Sequence, residues 1–347
     1  MTSTIVIIHP GGLGDLLLAT PAIRSLQVRF PRHQLLLCGL AQASEFLHEC
    51  RLVDRWMSVQ ATACTALFGG SSPDDPLLKD WLSRCDLAVA WMRDEAGTLA
   101  ATLKNCGAAA VLVQSPFRST LKTGHQSDRF LEILQEPAAD RLAMKPFHLP
   151  DHLREAASSY LQACGLPSDR ALLLLHPGSG SRHKCVQPQV LAAVVARLQE
   201  LGALPLILEG PADQESTANL LYHMPTKPFV LRGVSLCLLA GVLSQVELYV
   251  GHDSGITHLS ALLGTPTVAL FGPTDPERWA PRGSQVVTVR GESCHCLSWD
   301  DVRRCTEKLC LQMSTEAILG ACQRVRRIGI NPRISTSSVL SSNSPLC

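Results

Sequence analysis

The chain has 347 residues, 46% of them hydrophobic and 18% charged, with a formal net charge of +1. That length suits two domains, and the apolar share is enough to bury a sizeable core. The near-neutral balance excludes the broad basic field of a nucleic-acid binder.

Thr4 to His9 is a β-branched run broken by Pro10-Gly11-Gly12-Leu13-Gly14. From Asp15 to Arg29 apolar residues recur at helical spacing (Leu16, Leu17, Ala19, Ile23, Leu26), and Leu35 to Cys38 returns as a strand, which makes a βαβ unit. Further strands are expected at Leu87–Ala90 and Ala109–Val113. Pro137–Asp151 is proline-rich and aperiodic, so the linker is placed there. The second half restarts in the same way: a strand at Ala171–Leu175, a turn at His176-Pro177-Gly178-Ser179-Gly180-Ser181, an amphipathic helix over Gln189–Leu201 and a strand at Leu204–Leu208. Strands at Phe229–Leu231, Leu248–Val250 and Thr267–Phe271 follow. The alternation predicts an α/β fold of two doubly wound parallel-sheet domains, residues 1–148 and 149–330, each with its ligand crevice at the carboxyl ends of the strands. Residues 331–347 are Ser-rich without a period and read as a disordered tail.

The chain has 14 cysteines, and most sit singly in apolar segments, as buried free thiols do in a reducing cytosol. Ile5-Val6-Ile7-Ile8 is too short for a signal-peptide core, and no run of about 18 apolar residues could cross a membrane. A cytoplasmic protein is expected, free to work peripherally at a membrane surface.

Five segments carry candidate chemistry. In His9-Pro10-Gly11-Gly12-Leu13-Gly14-Asp15 the glycines allow close backbone approach, and the helix that follows offers free N–H groups. Asp15 is either that helix's N-cap or a carboxylate facing a ligand. The turn fails the dinucleotide pattern G-x-G-x-x-G, because the third glycine position is Leu17, which disfavours a nicotinamide dehydrogenase. Gly178-Ser179-Gly180-Ser181-Arg182-His183-Lys184 places small residues and cations after a strand, as a diphosphate cradle or as an exposed charged loop. Gly251-His252-Asp253-Ser254-Gly255-Ile256-Thr257-His258 is a strand end followed by a helix start, where Ser254 or Asp253 can cap. Phe271-Gly272-Pro273-Thr274-Asp275-Pro276 reads first as a rigid turn, with Thr274 and Asp275 within reach of a ligand. Cys294, Cys296, Cys305 and Cys310 could bind a metal, although their spacing departs from the usual C-x2-C pairs; the expectation is no metal.

In order and in sequence, residues 8–23, 176–181 with Lys184, and 251–276 resemble glycosyltransferase family 9, the bacterial ADP-heptose:lipopolysaccharide heptosyltransferases and their relatives. The resemblance covers roughly residues 4 to 326. It implies a GT-B fold of two Rossmann-like domains facing a cleft, the N-terminal one for the acceptor and the C-terminal one for the nucleotide sugar. It also implies inverting transfer by a single displacement with no tightly bound cofactor or metal. The implied donor is ADP-heptose, and the implied partner is a lipid-linked glycan acceptor, such as the lipopolysaccharide core, at the inner membrane surface. Asp15 matches the family's catalytic base, beside the acceptor-side glycines Gly11, Gly12 and Gly14. Lys184 matches a donor-phosphate lysine. Asp253, Ser254, Gly255 and His258 match the donor motif D-[ST]-G-x-x-H, with Ser179, Gly180 and Ser181 alongside. Glu209 or Glu215 matches a ribose-binding acid. One departure is Cys185-Val186-Gln187-Pro188 after Lys184, where relatives often carry Trp-Pro. The alternatives are another nucleotide sugar on the same fold, or a non-catalytic sugar-nucleotide-binding protein.

Overall fold

The structure, a computed structural model, describes residues 2–117, 124–136, 147–167 and 169–328. Most of the segment read as a linker and all of the 331–347 tail lie outside the described residues. The chain divides into two units. The first is Met1–Leu153 with Ser235–Cys237 and Glu277–Trp279; the second is Arg154–Val234, Leu238–Pro276 and the residues from Ala280 on.

The first unit is built on five parallel strands: β1 (Thr4–Ile8), β2 (Gln34–Gly39), β3 (Arg55–Ser58), β4 (Cys85–Ala90) and β5 (Ala110–Val113), in the order β3-β2-β1-β4-β5. Every residue of β1 is buried, as a central strand covered on both faces requires, whereas edge strands β3 and β5 are partly exposed. Ile8 pairs with Cys38 on one side and Ala90 on the other. The connections therefore leave β1 in opposite directions, which opens a crevice at its carboxyl end, where the His9–Asp15 turn begins.

The second unit repeats this plan with six parallel strands: β6 (Leu172–His176), β7 (Leu204–Glu209), β8 (Phe229–Arg232), β9 (Leu248–His252), β10 (Thr267–Phe271) and β11 (Val286–Arg290), in the order β11-β10-β9-β6-β7-β8. Here β6 is the switch strand, flanked by β7 and β9, and its last residue is His176. Strands β6, β9 and β10 are wholly buried. Leu175, Val250 and Leu270 sit in the same apolar core as the faces of the helices Pro188–Glu200 and Thr315–Ile328.

One expected helix is corrected. The pattern over 15–29 is two helices, Leu13–Leu18 and Thr20–Arg29. Pro21 has no N–H to give to the carbonyl of Leu17, which instead accepts the Thr20 hydroxyl at 2.7 Å. Among the described residues every cysteine is a free thiol, and no helix is long and apolar enough to cross a membrane.

Candidate functional site: two turns at switch strands

The first turn follows β1. His9 is buried between aromatic rings, with centroids 5.6 Å from Phe130 and 6.0 Å from Trp91. Burial lowers its pKa to about 4, so it is neutral. Its Nδ1 accepts the Gly11 N–H at 3.2 Å, which folds the turn back on itself. The N-cap of the helix Leu13–Leu18 is Gly12, not Asp15; Gly14 and Asp15 lie in the first turn, and the helix's last three residues, Leu16, Leu17 and Leu18, are its buried ones. Reading Asp15 as the cap is thereby corrected, because the helix starts two residues earlier than its apolar pattern. Asp15 is half-buried, and its carboxylate lies against the Gly11–Gly12 backbone: a Cβ on Gly11 would stand 3.2 Å from Asp15 Oδ2 and 2.6 Å from the His9 ring. Glycine at position 11 thus answers a close approach and keeps bulk away from that carboxylate.

The second unit gathers its turns more tightly. Lys184, at the end of a short 3-10 turn after β6, donates to Asp253 Oδ2 at 2.7 Å. Thr274, beyond β10, donates to the same oxygen at 2.7 Å, and the Ser179 hydroxyl donates to the Asp253 carbonyl at 2.7 Å. Asp253 therefore ties together the ends of β6, β9 and β10. The next residue, Ser254, is the N-cap of the helix Gly255–Leu262 and accepts from Thr257 N–H at 3.4 Å. His258 is buried one turn into that helix. A helix start beside a lysine held in place is an anion site: the dipole, the open N–H groups and the ammonium all favour a phosphate.

Three buried groups that the motifs did not predict hold this arrangement. His176 Nε2 is 2.9 Å from Asp213 Oδ2, and its Nδ1 is 3.4 Å from Ser254 Oγ. Burial alone would raise Asp213, yet its hydrogen bond with His176 holds it below the usual carboxylate range. Asp213 also lies against the turn backbone, since a Cβ on Gly178 would fall 1.8 Å from its Oδ1. His252 accepts the Val186 N–H on Nε2 at 2.9 Å, with Nδ1 3.3 Å from the Gly178 carbonyl. Its burial pushes the pKa down to about 4 and keeps it neutral. That bond explains how the chain accommodates Cys185-Val186 after Lys184: the loop is fastened by its backbone. The signal that could have found the two histidines is their place as the last residues of β6 and β9; Asp213 sits just before the helix Gln214–Tyr222.

The remaining candidates fall out unevenly. Gly180 and Ser181 lie on the cradle loop, where Ser181 caps the short turn by accepting from His183 N–H at 3.3 Å. Glu209 ends β7 on the ligand side of the sheet and is paired with Arg232 at 2.7 Å. Glu215 lies in the helix Gln214–Tyr222 and lines a pocket with Arg182, Cys185 and Lys308. Trp299, which no motif singled out, places its ring 5.5 Å from the Lys184 ammonium. Cys294, Cys296 and Cys305 gather in the second unit.

The sequence profile of glycosyltransferase family 9 (heptosyltransferase) matches residues 125–308, about half of the chain. Lipooligosaccharide heptosyltransferase 2 of Campylobacter jejuni subsp. jejuni is 24% identical over 294 residues, 80% of this chain and 83% of the relative. Lipopolysaccharide heptosyltransferase 3 of Escherichia coli K12 is 24% identical over 157 residues, 42% of this chain, so the match spans less than half (46%) of that relative's length. Among solved structures, a glycosyl transferase family 9 protein of Veillonella parvula superposes with a TM-score of 0.76 at 19% identity, covering 93% of this chain and 97% of the other. The E. coli ADP-heptose lps heptosyltransferase II superposes with a TM-score of 0.71 at 16% identity, covering 93% and 98%. The shared fold is GT-B, with two Rossmann-like domains.

Proposed function

Because the chain belongs to glycosyltransferase family 9, we propose that it is an inverting glycosyltransferase moving a heptose from ADP-heptose to a lipopolysaccharide-core or related glycan acceptor. The names of the Campylobacter and E. coli relatives, all heptosyltransferases, support the donor sugar and the class of acceptor. The single observation that carries the reading is the Asp253 hub, which presents Lys184 and the start of the Gly255–Leu262 helix at the switch strand's carboxyl end.

The chemistry follows from the two turns. An acceptor hydroxyl is a weak nucleophile until it loses its proton, and Asp15 takes that proton as it attacks the anomeric carbon. The bond to the departing diphosphate breaks, and negative charge grows on its oxygens. Lys184 and the N–H groups at Ser254 and Gly255 meet that charge, a role a metal fills in other enzymes. Asp253 holds the ammonium in place before the donor arrives, so little reorganisation is needed during transfer. Ser179, Gly180 and Ser181 line the diphosphate, Glu209 takes the ribose, and His258 backs the helix start. The acceptor, lipid-linked, is met at the inner membrane surface.

A thermal-shift panel of nucleotide sugars tests the donor. Stabilisation by ADP and ADP-heptose, without stabilisation by UDP or GDP sugars, is expected. A response to UDP or GDP sugars alone would move the protein to another donor on the same fold. Binding of ADP-heptose with no transfer to any heptose-deficient lipopolysaccharide would return it to a binding protein.

A further inference from the structure

Between β11 and the helix Thr315–Ile328 lies a loop that the transfer chemistry does not use. Its regular structure is slight: a six-residue helix, Trp299–Arg304, with a Ser298–Asp301 capping box, and a 3-10 turn at Leu309–Leu311. Its side chains from 292 to 301 are mostly exposed, Leu297 almost completely. So little burial cannot offset the entropy of ordering such a segment.

Three of the loop's four cysteines converge instead, with the fourth beside one of them. The sulfurs of Cys294, Cys296 and Cys305 all lie within 4.8 Å of one another, and those of Cys294 and Cys296 are 3.0 Å apart. A tetrahedral ion with metal–sulfur bonds of about 2.3 Å spaces its ligands about 3.8 Å apart, within that reach. Cys310 is buried outside that trio, and its thiol interacts with Cys294, from where it can supply the fourth sulfur. The Lys308 N–H donates to Cys305 Sγ at 3.3 Å. To do so, Lys308 adopts φ +46°, a left-handed conformation that a lysine enters only at a cost. An N–H turned onto a sulfur is the outer support that a metal-bound thiolate receives. The far end is tied as well, since Gly291 N–H donates to the Cys310 carbonyl at 3.2 Å.

We propose that Cys294, Cys296, Cys305 and Cys310 hold one tetrahedral zinc or iron ion that braces this loop. An all-thiolate set selects those metals over magnesium or calcium. Binding of a divalent ion replaces four S–H protons, which leave to solvent, and forms a complex of charge −2. Arg304 lines the same pocket. The ion takes no part in transfer. Its service to the donor site is mechanical, because the braced helix carries Trp299, whose ring lies over Lys184.

The test uses the full chain purified under reducing conditions without chelator. Elemental analysis is expected to find about one zinc or iron per chain, and it identifies which. Cys296→Ser and Cys305→Ser each lose the ion, and Cys106→Ser, a thiol elsewhere, retains it. Because a ligand variant can simply misfold, the metal-stripped unsubstituted chain is also titrated with cobalt(II). Thiolate-to-cobalt charge-transfer bands and strong tetrahedral d–d bands, saturating at one equivalent, are expected. A metal-free chain with four alkylatable thiols and no tetrahedral cobalt spectrum overturns the proposal. So does a Cys294–Cys296 disulfide in the protein as isolated.

Discussion

Two turns in this molecule share the tripeptide His-Pro-Gly and the same place in the sheet, yet they are wired differently. His9 ends in an aromatic pocket and bonds its own turn through Gly11 N–H. His176 bonds across the unit to Asp213 and reaches Ser254 on another strand end. In each turn the glycine after proline clears room for an acid: Asp15 beside Gly11, Asp213 beside Gly178. The acids differ in what surrounds them. Asp213 is buried and spent on His176 and the Gly210 N–H, so it is structural. Asp15 is half-buried at a helix start, where a substrate hydroxyl can meet it. Sequence similarity between two turns is thus a statement about backbone geometry, while function follows from which acid the glycine admits and how deep it lies.

Substitutions break the comparison in order of severity. Asp15→Asn keeps the shape and removes the base, so turnover is expected to fall by about 10²–10⁴-fold in a transfer assay; near-normal rates would return Asp15 to a structural role. Lys184→Ala removes one charge partner of the leaving diphosphate, and a fall of about 10²–10³-fold in turnover with weaker donor binding is expected. Unchanged kinetics would make Lys184 only the counter-ion of Asp253. The glycines sharpen the contrast. Gly178→Ala must push Asp213 off His176, so denaturant unfolding should show a loss near the upper end of the about 1–3 kcal/mol typical of overpacking. Gly11→Ala presses mainly on a ring edge and should cost less; equal losses would mean that the two turns are not wired differently.

A further effect is one of pH, and it comes from one buried ring in each unit. His9 and His252 are held near pKa 4 by burial, against about 6.5 in an unfolded chain. The unfolded chain therefore binds protons first as pH falls. Stability is intact above about pH 6.5 and is lost between there and pH 4. By pH 4.5 the loss is on the order of 2–3 kcal/mol per histidine. Urea unfolding at pH 7 and 4.5 should show that loss, and His9→Asn should shrink it; an unchanged difference would mean that His9 is not buried as a neutral ring.

Much of this was legible in the sequence where burial is complete. Strands β1, β2, β6, β9 and β10 were predictable to within about two residues because each is an unbroken apolar run closed by a turn. Arg55-Trp56-Met57-Ser58 and Val286–Arg290 were not; both are half-exposed edge strands, although the edge strands Ala110–Val113 and Phe229–Arg232 still showed as short apolar runs. The helix break at Thr20-Pro21 was legible in principle, and apolar spacing masked it. At the site, Asp253, Ser254 and Lys184 could be picked out from their motif. His176, His252 and Asp213 could not be connected, since their partners are dozens of residues away and only the sheet order brings them together. Thr274 read first as part of a rigid turn, and its bond to Asp253 joins that turn to the Asp253 hub.

The central claim is a division of labour: the first turn activates the acceptor and the second holds the donor. Calorimetric titration of ADP into Asp15→Asn, beside the unsubstituted chain and Lys184→Ala, tests it most directly. The account predicts an unchanged affinity for Asp15→Asn, within about twofold, and an affinity for Lys184→Ala about tenfold weaker or worse. A loss of ADP binding in Asp15→Asn as large as that in Lys184→Ala would contradict it.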